Sequence, residues 1–379
     1  MAKKIFTMAL MLVLSVCFCL VLPHGAIAKD KPIKWKMSTA WVSSNDFINH
    51  DKYFVKLIHE MSNGRLQIKF HSGGEIVPAT ELLPTVQNNV LQAAGDWSGF
   101  WIGKNTAFNV LAGFPFAPSW FDYMAWIYSQ GGLDVYNEVY GKYGVMYFPH
   151  CAMGPESGAR GRPGSKKFNT VEDFRGAKIR MAGRLQGYIL KELGAAPVNV
   201  TPAEIYQALE RGLLDHAEYS MPHSDWSLSF QEVTNEWNVP GWHQTGFVVG
   251  VMINKKAYEA LPKDLQAIVR YAAQATMCWS SGRGSVLSGV YTKKFLDKGA
   301  HVNVLNAASL DKIERIAYKG LLEEAKANPL YAKAAYLLYK TAQKSQPFRD
   351  IGEKPLARRQ VKFPNMEELK KAAGVLVKK

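Results

Sequence analysis

Ile33-Lys34-Trp35-Lys36-Met37-Ser38, a helical face at Phe54, Leu57, Ile58 and Met61, a stop at Asn63-Gly64 and the alternation Leu66, Ile68, Phe70 follow one another along the chain. Period-two apolar residues predict strands at both ends, and the three-and-four spacing between them predicts an amphipathic helix. Asn and Gly tolerate the left-handed conformation that ends a helix. A strand, a helix and a second strand in so short a stretch make a unit in which the strands run parallel. The pattern returns at Thr201-Pro202-Ala203-Glu204, a capping box with proline at the first helical position. Ile205, Ala208 and Leu209 then form one face, and Gly212 terminates it. Repeated alternation of this kind implies an α/β fold with mostly parallel sheets.

Upstream of this region, Lys3 and Lys4 precede an apolar run from Phe6 to Leu22, Pro23, and Ala26-Ile27-Ala28. That order matches a secretory signal over 1–28, with the mature chain beginning near Lys29. The alternative, an uncleaved anchor, fits less well because the run is short for a bilayer span. Cys17 and Cys19 lack a small residue just before them that lipoprotein processing would require. Cys151 and Cys278 remain and allow one disulfide at most. With 47% hydrophobic and 12% aromatic residues in 379, stability rests on an apolar core, and the length argues for two domains.

The formal charge is +14, falling by two to +12 without Lys3 and Lys4. Export argues against nucleic acid, and an anionic small molecule suits the sign. Much of the charge lies in the stretch 346–379, which reads as a basic tail. There is no nucleophile elbow, phosphate-binding glycine loop, dinucleotide fingerprint or helical two-histidine zinc motif. The nine histidines are scattered, and His150-Cys151 reads as packing. Nothing here makes a positive case for an enzyme.

Several segments carry a family resemblance: Ser72-Gly73-Gly74-Glu75-Ile76-Val77-Pro78, Gly103-Lys104-Asn105-Thr106-Ala107-Phe108, Phe114-Pro115-Phe116, the run from Asn169 through Glu172-Asp173-Phe174-Arg175-Gly176 to Arg180, and the run from Glu204 to Asp215. Together they resemble the solute-binding receptors of tripartite ATP-independent periplasmic (TRAP) transporters, in the branch that binds 2-oxo and 2-hydroxy monocarboxylates. The resemblance implies a hinged two-domain binding protein in the periplasm that captures a small carboxylic acid and delivers it to TRAP membrane subunits. It implies domain I over 29–149 and 246–285, domain II over 150–245 and 286–345, and crossing strands near His150 and Thr245. A long helical region, roughly Ala307 to Ser345, would span both domains and could mediate a homodimer.

The same resemblance places Arg180 on the ligand carboxylate, where a planar guanidinium fork fits two oxygens. It places Glu156, Glu218 and the Tyr219 carbonyl around a cation. Here glutamate at 156 replaces the branch's glutamine, and Tyr219 stands where tryptophan is usual. Glu156 could also be an exposed loop acid, because Gly154-Pro155 precedes it. Two carboxylates and an anionic ligand favour Ca2+ over the alternative Na+, and no histidine or thiolate cluster suggests zinc. Trp41, Phe100, Trp101, Tyr219 and Trp242 complete a candidate aromatic wall, although tryptophans commonly pack in cores. A sensory or scavenging receptor, or a periplasmic enzyme acting on a small organic acid, remains as the alternative.

Overall fold

The computed structural model describes residues 31–357 and 366–373; the signal at 1–28 and parts of the basic tail lie outside them. The opening unit forms as its pattern dictates. Strand β1 (Ile33–Thr39) pairs in parallel with β2 (Leu66–Phe70), and the helix Ile48–Met61 connects them. Phe54 and Ile58 are fully buried, whereas Met61, the last residue of the helix, is 45% exposed. Asn63 and Gly64 take positive φ, and the chain reverses there into β2. The capping box at Thr201 closes, with Thr201 N–H donating to Glu204 Oε2 at 2.8 Å, and Ile205, Ala208 and Leu209 turn inward.

Two mixed sheets result. The first has the order β2-β1-β3-β10-β4, adding β3 (Ala93–Asp96), β4 (Val145–Met153) and β10 (Phe247–Asn254). The second has the order β11-β9-β5-β8-β6-β7. Its strands are β5 (Ala159–Gly161), β6 (Lys178–Arg180), β7 (Ala196–Pro197), β8 (His216–Ala217), β9 (Glu236–Val239) and β11 (His301–Val304). Strand β10 runs antiparallel to both β3 and β4 because it is the returning arm of a chain that left this sheet through β4.

The chain passes from the first sheet to the second between Met153 and Ala159 and returns between Val239 and Phe247. The two crossing segments meet through a β-bridge, Glu156 to Gly241, and through the Glu156 N–H, which donates to the Gln244 carbonyl at 3.1 Å. Their approach is so close that a Cβ on Gly241 would lie 2.1 Å from the Glu156 carbonyl, and one on Gly158 (φ +91°) would lie 2.1 Å from the Asn238 carbonyl. Only glycine fits at these positions. His150 therefore lies within β4 of the first sheet, and the crossing comes after Met153. His150 is fully buried, with Nε2 2.7 Å from Asp51 Oδ1, and packs as the sequence suggested. Cys151 and Cys278 are both free thiols.

The helix Lys263–Asp297 lies along this junction, packing on β4, on the helix Ile48–Met61 and on the second-sheet helix Pro222–Ser227. The helices Ala307–Ala327 and Pro329–Phe348 follow, and the second runs past Ser345 into the stretch read as tail. No helix among the described residues is long and apolar enough to cross a membrane.

Candidate functional site

A cleft of about 1360 Å³ opens between the sheets and narrows to an inner pocket of about 50 Å³. Arg180, Tyr219, Trp41 and Phe100 line both, and Glu156 lines the inner pocket. Arg180 ends β6, whose parallel register with β8 sets Arg180 opposite Ala217. Glu218 follows directly and donates its backbone N–H to the Arg180 carbonyl at 3.1 Å. Sheet pairing thus fixes the guanidinium beside the Glu218 carboxylate.

Arg180 is 7% exposed. Its Nη1 donates to the Glu218 carbonyl at 2.6 Å and to Glu218 Oε1 at 2.8 Å, and its Nε donates to the Val200 carbonyl at 3.4 Å. Protein groups thus hold Nη1 and Nε, and among the described residues Nη2 has no hydrogen-bond partner. Glu218 Oε1 also accepts the Ala182 N–H.

Glu156 comes from the first crossing segment and is buried at 6% exposure, which excludes an exposed loop acid. Across from it, on the second crossing segment, stands His243. Its Nε2 lies 3.0 Å from Glu156 Oε2 and 3.6 Å from Glu218 Oε2. One ligand atom from each of these three residues lies within 4.8 Å of the others, an arrangement able to hold a metal ion. Burial pushes the Glu156 carboxyl well above its usual range, against the pull of Ser220. Burial also raises Glu218 to about 7 although Arg180 and His243 oppose it. Burial lowers His243 in spite of the nearby carboxylates. Two desolvated carboxylates facing one arginine are under-compensated, and the chemistry of the group fits a cation.

The aromatic candidates divide. Trp41 and Phe100 lie 6.2 Å apart on the cleft wall, joined by Phe47 and Trp97. Tyr219 also lines the cleft, and its hydroxyl accepts a hydrogen bond from Asn45 of the first-sheet side. Trp101 is 2% exposed, donates its indole N–H to Asp96 at 2.8 Å and packs in the core. Trp242 is 3% exposed and packs in the same core against Phe116 and Phe174. Neither lines the cleft or the inner pocket. His243, Gln244, Ser220, Asn45, Phe47 and Trp97 are the residues that sequence reasoning passed over. Adjacency to Trp242 was the one available pointer to His243 and Gln244.

Two sheets joined by two crossing segments, with a buried arginine and two buried carboxylates between them, have the architecture of a two-domain solute-binding protein. The model for the bacterial extracellular solute-binding proteins of family 7 matches residues 37–323, and the chain belongs to this family, the solute-binding proteins of TRAP transporters. A monocarboxylate 2-oxoacid-binding periplasmic protein of a Nostoc species is 28% identical over 312 residues, covering 82% of this chain and 84% of that one. A TRAP solute-binding protein of Colwellia psychrerythraea, solved with bound calcium and pyruvate, is 29% identical at a TM-score of 0.81, covering 86% and 99% of the two chains. One of Pseudoalteromonas atlantica, solved with sodium and pyruvate, is 27% identical at a TM-score of 0.81, covering 87% and 100%.

Proposed function

We propose that this chain is a periplasmic receptor that binds a small 2-oxo or 2-hydroxy monocarboxylate, with a cation, and passes it unchanged to TRAP membrane subunits. The observation that carries the reading is the free Nη2 of a buried Arg180 in the same pocket as the buried Glu156. The ligand carboxylate meets Arg180, and its apolar part rests on Trp41, Phe100 and the Tyr219 ring. Trp101 and Trp242 have no contact role, since both sit in the core.

Glu156, Glu218 and the Tyr219 carbonyl would hold the cation, which would offset their charge and draw the ligand's oxygens. Calcium, the ion in the Colwellia neighbour, balances two carboxylates and an anion better than sodium, the ion in the Pseudoalteromonas neighbour. The lobes are 29–149 with 246–285, and 150–245 with 286–345, except that 150–153 pair in the first sheet. They close about the two crossing segments. Exposed Leu322 and Tyr336 on the C-terminal helices give a second copy an apolar surface.

The test is a thermal-shift screen of small carboxylates after chelation, with calcium or sodium added back, and recovery of the bound acid. A ligand that binds only the folded state raises the midpoint. We expect 2-oxo acids with calcium to give the largest shift and to be recovered intact. Chemical conversion of the acid would support a periplasmic enzyme instead.

A further inference from the structure

His243 has the position of a ligand without having been needed for one. It is 1% exposed and faces two carboxylate oxygens at 3.0 and 3.6 Å through the same nitrogen, Nε2. Gln186 Nε2 donates to its backbone carbonyl at 3.0 Å, and the ring stands edge-on to Trp242 with centroids 6.0 Å apart. Among the described residues Nδ1 is buried without a partner, so ring packing and the Nε2 hydrogen bond to Glu156 aim Nε2 at the two carboxylates.

We propose that His243 is a nitrogen ligand of the cation site and makes this receptor bind first-row transition ions, Mn2+ and Zn2+, more tightly than calcium. The inference rests on the cation reading above and names what that site prefers. Metal bonds of about 2.1 Å set neighbouring ligand atoms roughly 3.0 to 3.4 Å apart; His243 Nε2 lies 3.0 Å from Glu156 Oε2 and 3.6 Å from Glu218 Oε2, so a small shift of Glu218 completes the set. Calcium takes six to eight oxygen ligands and gains little from an imidazole. The transition ions accept imidazole and carboxylate together, and an added nitrogen moves the order of affinity towards them. Calcium still enters the site through the two carboxylates and the ligand. What His243 changes is the ranking.

The experiment uses the full mature chain without a histidine tag, exhaustively chelated, titrated with Mn2+, Zn2+ or Ca2+ alone. Mn2+ and Zn2+ should bind about tenfold or more tighter than Ca2+, and His243→Gln should remove most of that margin. Bound Mn2+ should also show electron-spin-echo modulation from a directly bonded nitrogen in the wild type, a readout that does not depend on the variant folding. Calcium binding as tightly as manganese, or bound manganese without nitrogen modulation, would overturn the inference while leaving the cation reading intact. No binding of any ion, alone or with pyruvate, would overturn both.

Discussion

Replacing Arg180 with alanine removes more than a ligand contact. In the free protein Nη1 donates to the Glu218 carbonyl and Oε1 at 2.6 and 2.8 Å, and among the described residues Nη2 has no partner. Truncation leaves a buried carboxylate without its guanidinium and leaves the incoming anion without a partner. Removing one member of a buried, hydrogen-bonded charge pair costs about 3 kcal/mol or more, which is roughly 150-fold in Kd. A separate cost falls on the stability of the free protein, because Glu218 loses the guanidinium that counters the effect of burial on its carboxyl. The double variant Arg180→Ala/Glu218→Gln separates the two: it should regain stability without regaining affinity. Lysine at 180 should rescue little, since one ammonium cannot serve both Glu218 and the ligand with a planar fork. Calorimetry with pyruvate and calcium supplies the numbers. A single alanine variant within threefold of wild-type affinity would refute the assignment.

Hinge closure about the crossing segments should make the liganded protein more compact, and small-angle scattering curves that superimpose with and without saturating acid would contradict it. Asp96 gives a pH effect away from the cleft. Its Oδ2 accepts from Trp101 Nε1 at 2.8 Å and from Tyr140 Oη at 2.7 Å, yet burial pushes the carboxyl up to about 7. Between about pH 4 and 7 the folded state keeps a proton that the unfolded state releases, so the carboxyl's contribution to stability falls as pH rises through that window, by up to about 4 kcal/mol. Asp96→Asn keeps an acceptor and cannot titrate; its Tm should gain on the wild type between pH 5 and 8, and parallel melting curves would refute this.

Local chemistry made much of the fold legible. The period change between Ile33 and Phe70 and the Thr201 to Glu204 box each act within a few residues, and the structure places strand, helix and cap where they were expected. Arg180 was legible through its segment, and β6 to β8 pairing explains why Glu218 accompanies it. Glu156 stayed open between a cation ligand and an exposed loop acid, because its burial comes from a bridge to Gly241, far away in sequence. His243 had no ligand-spaced neighbour, since its partners are Glu218, just after β8, and Glu156 of the other crossing segment. Trp101 and Trp242 belonged to the right segments, but which way an aromatic ring points is decided by packing, and both point into the core.

The proposed receptor captures a small monocarboxylate at Arg180 in the presence of a cation. Calorimetric titration of pyruvate into chelated protein, before and after adding calcium, tests it most directly. One acid should bind per chain, saturably and markedly more tightly with calcium; no heat with calcium present, at millimolar pyruvate and at two temperatures, would refute capture at this site.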